Sequence, residues 1–305
     1  MAKKTSTSRN SKRNGNLEVL KTYKMYVGGA FPRTESGRFY SPAVDKKSIG
    51  NICLGSRKDV RNAVVAARGA QASWASRTAY NRGQILYRIA EMLQGRAEQF
   101  RTELTLQGLS VSAAKAEVQI SIDRLIVYAG WCDKYQQIFS SVNPTATSHF
   151  NFSVLEPTGV VFAFVNEDSP LLGLVSLVAP IIAGGNSCVV LASETRPLSA
   201  VTFGEVLNSS DVPGGVVNIL TGNLHELHEH VARHMDINAI AYDRGDKKIL
   251  PTIQQHAADN VKRVKSFSCD WKDTATANPY LIQDFCEVKT TWHPIERISA
   301  SGSGY

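Results

Sequence analysis

Apolar residues recur with a helical period over much of the first half of the chain. In Asp59–Trp74 the apolar positions 60, 63, 64, 67 and 70 share one helix face, and Asp59 stands near the helix start. Similar stripes predict helices over Tyr80–Gln94, Ala97–Gln107 and Ala113–Gln137. This part of the chain is therefore expected to be rich in helix.

From residue 159 onward, short apolar runs alternate with helical segments. The continuous run Gly159–Val165 (GVVFAFV) is typical of a parallel strand that is buried on both faces. Four more strands are predicted at Ser187–Leu191, Gly215–Leu220, Ala239–Tyr242 and Arg263–Phe267, with helices at Leu171–Ala183, Leu198–Asn208, Leu224–His234 and Ile249–Ala258. This alternation predicts an α/β fold with a doubly wound parallel sheet.

Strands are also predicted outside this alternating region. Tyr23–Gly29 alternates and ends in two glycines, as a strand that runs into a turn does. Phe150–Leu155 alternates, and Leu281–Trp292 is rich in β-branched residues, so both are expected to be extended. Asp273–Pro279 has the composition of a loop.

The net charge of +7 is concentrated at the N-terminus. Five of these charges come from lysines and arginines in residues 1–16, which contain no acid. We expect residues 1–18 to form a disordered basic tail that solubilises the protein or contacts an acidic partner, and residues 296–305 to be flexible. No recognition motif follows the basic tail, so nucleic acid is not expected as a partner.

The composition favours a cytoplasmic protein. No apolar run reaches the ~18 residues of a membrane span, and the N-terminus lacks the apolar core of a secretory signal. The five cysteines are odd in number and contain no C-x-x-C pair, which argues against a disulfide framework or a structural zinc site.

Several local strings, taken in order, resemble the aldehyde dehydrogenase superfamily. They are MYVGG at 25–29, DVRNAVVAARGAQASW at 59–74, the helix at 82–93, EPTGVV at 156–161, LVAPIIAGGNSCVVLA at 177–192, DVPGGVVNILTG at 211–222 and HMDINAIAY at 234–242. The closing string FCEVKTTW is also similar to the family's last strand. The resemblance implies a Rossmann-like cofactor domain at 19–139 and 156–268, with small oligomerisation strands at 140–155 and 279–295. Between Phe267 and Leu281, where the family places its catalytic domain, this chain has a short loop.

The resemblance also implies that the catalytic groups are missing. No cysteine lies in the family's G-Q-x-C string. Asp168 stands where the family has its oxyanion-binding Asn, and a carboxylate there repels a developing negative charge. Phe267 stands at the position of the general base Glu and cannot accept a proton. No catalytic residue is therefore expected.

Cofactor binding is expected to be weakened in the same way. Leu191 replaces the Lys of the family's K-P-A-E string, whereas Glu194 is retained. Glu194, Val165 and Gly222 are the candidate cofactor-binding residues. The segment that corresponds to the pyrophosphate turn, Tyr242–Lys248, contains two aspartates, which Arg244 and two lysines only partly offset. We expect no cofactor, or at most weak binding of NAD or NADP.

Histidines cluster in HELHEHVARH, where His230 and His234 have the i, i+4 spacing of metal ligands on a helix. The string lacks the H-E-x-x-H arrangement, and the family has a plain helix at this place, so no metal site is expected.

Together these observations predict a pseudoenzyme of the aldehyde dehydrogenase family that acts as a structural or regulatory subunit. Its expected partner is a second copy or a separate, active aldehyde dehydrogenase, because the oligomerisation strands are kept while the catalytic groups are lost. Two alternatives remain open. One is an NAD(P)-dependent subunit that completes its active site with a partner, and the other is a nucleotide-binding module.

Overall fold

The structure is a computed structural model that describes residues 21–295, so the tails predicted at 1–18 and 296–305 lie outside the described residues. Five short strands come first: β1 (Thr22–Tyr23), β2 (Phe39–Tyr40), β3 (Ala43–Val44), β4 (Lys47–Ser48) and β5 (Asn51–Cys53). Of the strand predicted over Tyr23–Gly29, the turn at the two glycines is confirmed, but the strand is not continuous, since β1 ends at Tyr23 and Tyr26 and Val27 form isolated bridges. Gly28 and Gly29 adopt φ of 62° and 82° and turn the chain, and Tyr26 instead bridges Ile219 at the edge of the main sheet.

A helical layer follows: α1 (Arg57–Ala75), α2 (Ala79–Gly95), α3 (Ala97–Leu106), α4 (Val111–Trp131) and α5 (Tyr135–Phe139). The predicted helices are confirmed at α1, α2 and α3. The helix predicted over Ala113–Gln137 is confirmed as far as Trp131 and is wrong beyond it, because the chain turns before α5. That turn lets the Gln136 amide bond the backbone of Leu155, at 2.7 Å from Nε2 to the carbonyl oxygen.

The remaining strands and helices follow in this order: β6 (Ser141–Asn143), β7 (His149–Pro157), β8 (Val160–Phe164), α6 (Leu172–Ala183), β9 (Ser187–Leu191), α7 (Leu198–Asn208), β10 (Val217–Leu220), α8 (Leu224–Arg233), β11 (Ala239–Tyr242), α9 (Ile249–Ala258), β12 (Arg263–Ser266), α10 (Tyr280–Gln283) and β13 (Cys286–Pro294). The strands from β8 to β12 and their helices confirm the predicted alternation.

The central sheet has five parallel strands in the order β10-β9-β8-β11-β12. Successive side chains of β8 enter different cores. Val161 and Ala163 pack with α2, α4, α6 and α7, whereas Phe162 and Phe164 pack with α1, α8 and α9. Helices therefore cover both faces, which confirms the doubly wound α/β fold and explains why β8 is apolar throughout.

A second sheet, here called the extension sheet, has the order β13-β7-β6. β13 pairs antiparallel with β7 over its whole length, from Cys286 opposite Pro157 to Pro294 opposite His149. The strand predicted over Leu281–Trp292 therefore starts too early. Leu281 and Ile282 lie in α10 and, with Phe285, are buried in the core. The segments predicted for oligomerisation, 140–155 and 279–295, contain the strands of this sheet, and their role stays a prediction.

The connection between β12 and β13 is short and firmly packed. Trp271 is 2% exposed, and its ring lies 5.6 Å from that of Phe267. From α4, Arg124 donates to the Trp271 carbonyl at 2.7 Å and to the Thr276 hydroxyl at 3.0 Å. Tyr128 on the same helix donates to the carbonyl of Asn278 at 3.1 Å. Helix α4 therefore anchors the connection that brings β13 to β7.

We expect Arg124→Met to lower the free energy of unfolding by about 1–3 kcal/mol, because it leaves the buried Trp271 carbonyl without its charged donor. Urea unfolding followed by Trp fluorescence measures this change. Lys115→Met, at an exposed position of the same helix, is the matched control. Equal stability of the two variants would contradict the anchoring role of Arg124.

Candidate functional site

The central sheet reverses its direction of growth between β8 and β11. The chain runs from β8 out to β9 and β10, and then places β11 on the other side of β8. In doubly wound sheets, ligands bind outside the carboxyl ends of the strands at such a point. Here the loops after β8, β11 and β12 line a cavity of about 560 Å³, which is the candidate site.

Asp168 and Phe267 both line this cavity. Asp168 is exposed in the loop after β8. Phe267, directly after β12, packs against Trp271 and Phe285, with ring centroids 5.6 Å and 6.5 Å away. Phe267 thus has a packing role, and neither residue brings a hydrogen-bond donor to the cavity through its side chain.

Asp243 joins the three loops of the site. Its Oδ2 accepts a hydrogen bond from the Trp271 indole at 2.7 Å and another from the Asn166 amide at 2.6 Å. The side chain follows β11 and is buried, and this burial raises the pKa of the Asp243 carboxyl to about 6. The carboxyl is therefore a structural acceptor, and the sequence analysis had counted it only as an unfavourable neighbour for a phosphate.

An ion pair lies in the crevice at the switch point, between the loops after β8, β9 and β11. Glu167, in the loop after β8, pairs with Arg244, which follows β11. Arg244 also donates from Nη2 to the carbonyl of Ala192 at 2.7 Å, in the loop after β9. Burial lowers the pKa of Arg244 to about 10, and its side chain is 6% exposed. The pair ties together the carboxyl ends of three neighbouring strands.

The sequence analysis did not identify Glu167 as a site residue. The signal in the sequence was a pair of opposite charges, each within three residues of the end of a buried strand. Which charges meet across the crevice depends on the strand order, which the sequence pattern does not reveal.

The predicted cofactor-binding residues lie at the carboxyl ends of three strands, and none of the three lines the cavity. Val165 is fully buried in the core, and Gly222 packs against Leu227 and Gly55. Glu194 is partly exposed, and its carboxylate accepts a hydrogen bond from the Asn223 amide at 2.8 Å. Of the three, only Glu194 presents a functional side chain near the crevice.

A family model described as "Aldehyde dehydrogenase family" matches residues 32–268. The chain belongs to the aldehyde dehydrogenase family. Its fold is accordingly the Rossmann-like NAD-binding domain of aldehyde dehydrogenases, and the superfamily resemblance of the sequence is confirmed.

Known aldehyde dehydrogenases and their relatives match most of this chain. Mouse cytosolic 10-formyltetrahydrofolate dehydrogenase is 30% identical over 255 residues, which are 81% of this chain and 28% of the mouse protein. The NAD+ complex of aldehyde dehydrogenase from Bacillus cereus has a TM-score of 0.76 and 25% identity, covering 81% of this chain and 50% of that one. PnpE from Pseudomonas sp. WBC-3 has a TM-score of 0.77, 26% identity and the same coverage. The chain thus spans half or less of the length of these relatives.

The thiols of this aldehyde dehydrogenase-family chain are poorly placed for nucleophilic attack. Cys53, Cys132, Cys188 and Cys286 are buried, whereas Cys269 is exposed and lines the cavity. Partial burial raises the pKa of Cys269, with the negative charge of Asp243 as the second cause, so both influences disfavour the thiolate.

No metal centre was found among residues 21–295, where no cluster of three or more His, Cys, Asp and Glu ligands forms. His230 and His234 lie with ring centroids 5.8 Å apart on α8 and at its end, and burial lowers the pKa of both. In the same residues, no helix combines the length and apolar character that crossing a bilayer requires.

The residues of the crevice do not fit the NAD that the family fold implies. A dinucleotide brings a negatively charged pyrophosphate to the switch point. In this chain Glu167 pairs with Arg244 at that point, and the adjoining cavity is lined by two basic residues, Arg244 and Lys247, and by four aspartates: Asp168, Asp243, Asp246 and Asp270. With Glu167 in place, the excess of acidic side chains is unfavourable for a pyrophosphate.

Asp243 makes the stability of the fold depend on pH. Its pKa of about 6 in the folded chain exceeds the ordinary value of 3.8, so the folded state holds a proton that the unfolded state has released. The free energy of unfolding therefore falls as the pH rises from about 4 to 6, by on the order of 3 kcal/mol. Asp243→Asn keeps an oxygen that can accept both hydrogen bonds, and we expect it to remove this loss.

Denaturant unfolding at several pH values tests this expectation. Burial also raises the pKa of Glu103 to about 7, so wild-type protein has a second contribution of the same sign. The difference between the wild-type and Asp243→Asn profiles isolates Asp243. Asp123→Asn, at an exposed carboxylate, is the control. Parallel profiles for wild type and Asp243→Asn would contradict the assignment.

Proposed function

We propose that this chain is a non-catalytic member of the aldehyde dehydrogenase family. It acts as a structural or regulatory subunit that assembles, through the extension sheet, with itself or with an active aldehyde dehydrogenase. We also propose that it resides in the cytoplasm, since all five of its cysteines lie in residues 21–295 and remain free thiols there.

The observation that carries the proposal is the extension sheet. β13 is an edge strand that pairs on one side only within residues 21–295, so beyond Cys286, whose carbonyl accepts from Arg263, its other side presents backbone groups that no other strand pairs with. Such a long unprotected edge is a template for pairing with another chain. Assembly with another chain would pair this edge, and a nine-residue strand is long enough for such pairing.

Apolar side chains on the extension sheet support the same conclusion. Val142 is 68% exposed and Phe150 is 43% exposed, and they share one face with Phe152 and Val154. These four residues line a shallow cavity of about 360 Å³. A contiguous exposed apolar patch of this kind marks a protein–protein contact.

The crevice supports the non-catalytic part of the proposal. Aldehyde oxidation requires a thiolate, a donor for the oxyanion and a proton acceptor beside the substrate. Cys269 is the one thiol at the cavity, and its pKa is raised. Asp168 offers a carboxylate where the family has an amide donor, and Phe267 offers a packed ring where the family has a base.

The alternative hypotheses make a different prediction. An NAD(P)-dependent subunit that completes its site with a partner, or a nucleotide-binding module, should bind NAD+ or NADP+ in solution. Calorimetric titration at millimolar nucleotide separates them from the proposed subunit, for which no heat of binding is expected.

Assembly is tested by Val142→Lys, which places a charge in the apolar patch. We expect wild-type protein to form a complex with a second copy, or with an intact aldehyde dehydrogenase co-expressed from the same organism. The substitution should weaken this complex about tenfold or more, because burial of an unpaired charge costs well over 1.4 kcal/mol. Size-exclusion chromatography with light scattering measures the mass of each species.

Val111→Lys is the matched control, because Val111 is 74% exposed on α4 and lies outside the extension sheet. It should leave the complex unchanged. A wild-type chain that stays monomeric and does not bind an active family member would contradict the proposal.

A further inference from the structure

We propose that the Glu167 carboxylate occupies an anion-binding site of this chain and thereby excludes phosphate-bearing ligands from the crevice. This inference concerns the carboxyl end of the central sheet, and it holds whether or not the extension sheet mediates assembly.

The site consists of donors that converge on Glu167 from the turn after β9. Its Oε1 accepts from the backbone N–H of Glu194 at 3.0 Å, and its Oε2 accepts from the N–H of Thr195 at 3.0 Å and the hydroxyl of Thr195 at 2.6 Å. The Ser193 hydroxyl also donates to Oε2. With the Arg244 guanidinium, one carboxylate is bound by two amides, two hydroxyls and one cation.

This set of donors has the chemistry of a phosphate site. Successive backbone N–H groups in a turn form an anion-binding concavity, and an arginine supplies the compensating charge. Arg244 is buried and held in place by the Ala192 carbonyl, so it is preorganised. Its Nε is buried and has no hydrogen-bond partner within residues 21–295.

The Glu167 carboxylate would compete with an incoming anion for this site. Glu167 is the more accessible partner, with a side chain 33% exposed against 6% for Arg244, so an incoming anion meets the carboxylate first. A pyrophosphate would have to displace Glu167 and leave it beside Asp168 in the same loop. The like charges oppose this exchange, so the carboxylate competes with any phosphate for the same donors.

Removal of the carboxylate should therefore create an anion site that the wild-type chain lacks. We expect inorganic pyrophosphate to raise the melting temperature of Glu167→Ala and to bind it at least about tenfold more tightly than wild type, since charge-assisted hydrogen bonds to an anion each contribute that much. NAD+ titrated in parallel shows whether the opened site also accepts a dinucleotide. The double variant Glu167→Ala/Arg244→Ala should lose the gain.

Glu205→Ala is the control, because it frees Arg96 from a more exposed ion pair, to which no backbone amide of residues 21–295 contributes. It should show no response to pyrophosphate. Glu167→Gln, which keeps the size of the side chain and removes its charge, serves as the second variant if Glu167→Ala unfolds. Wild-type binding of pyrophosphate or NAD+ as tight as that of the variants would overturn the proposal. So would the absence of any response in both Glu167 variants.

Discussion

The packing of Trp271 beneath the carboxyl ends of the central strands is the contact on which the rest of this structure depends. The indole donates to buried Asp243, its carbonyl is held by Arg124, and its ring contacts Phe267. These contacts close one end of the sheet with a short connection. Because this connection is held in place, the strand that follows it, β13, is positioned to pair with β7.

Two features of the molecule follow from this closure. The crevice at the switch point becomes a cavity of about 560 Å³ that is bounded by loops of the same chain. The extension sheet, in turn, projects with one long edge and an apolar face uncovered within residues 21–295. The fold therefore keeps the frame of a dinucleotide-binding domain.

The charged residues at the strand ends are held by contacts within the chain. In a Rossmann-like sheet, ligands bind outside the carboxyl ends of the strands, so the residues at those ends decide what can bind. In this chain Glu167 pairs with Arg244 and accepts hydrogen bonds from the turn after β9, and Asp243 accepts from Trp271 and Asn166. The backbone donors after β9 and the Arg244 guanidinium therefore bind the Glu167 carboxylate of the same chain.

The sequence by itself determined the class of fold, the helices α1 to α3 and the alternation from β8 to β12, because periodic burial leaves a pattern in local composition. It also carried the family resemblance and the positions of Asp168 and Phe267. It misplaced the start of β13, the break after α4 and the strand after Tyr23, because distant partners decide them: the core around Ile282, the backbone of Leu155 and the bridge to Ile219. Only the tertiary structure decided that Glu167 meets Arg244 and that Trp271 meets Asp243, since contacts between strand ends follow from strand order, which local periodicity does not record.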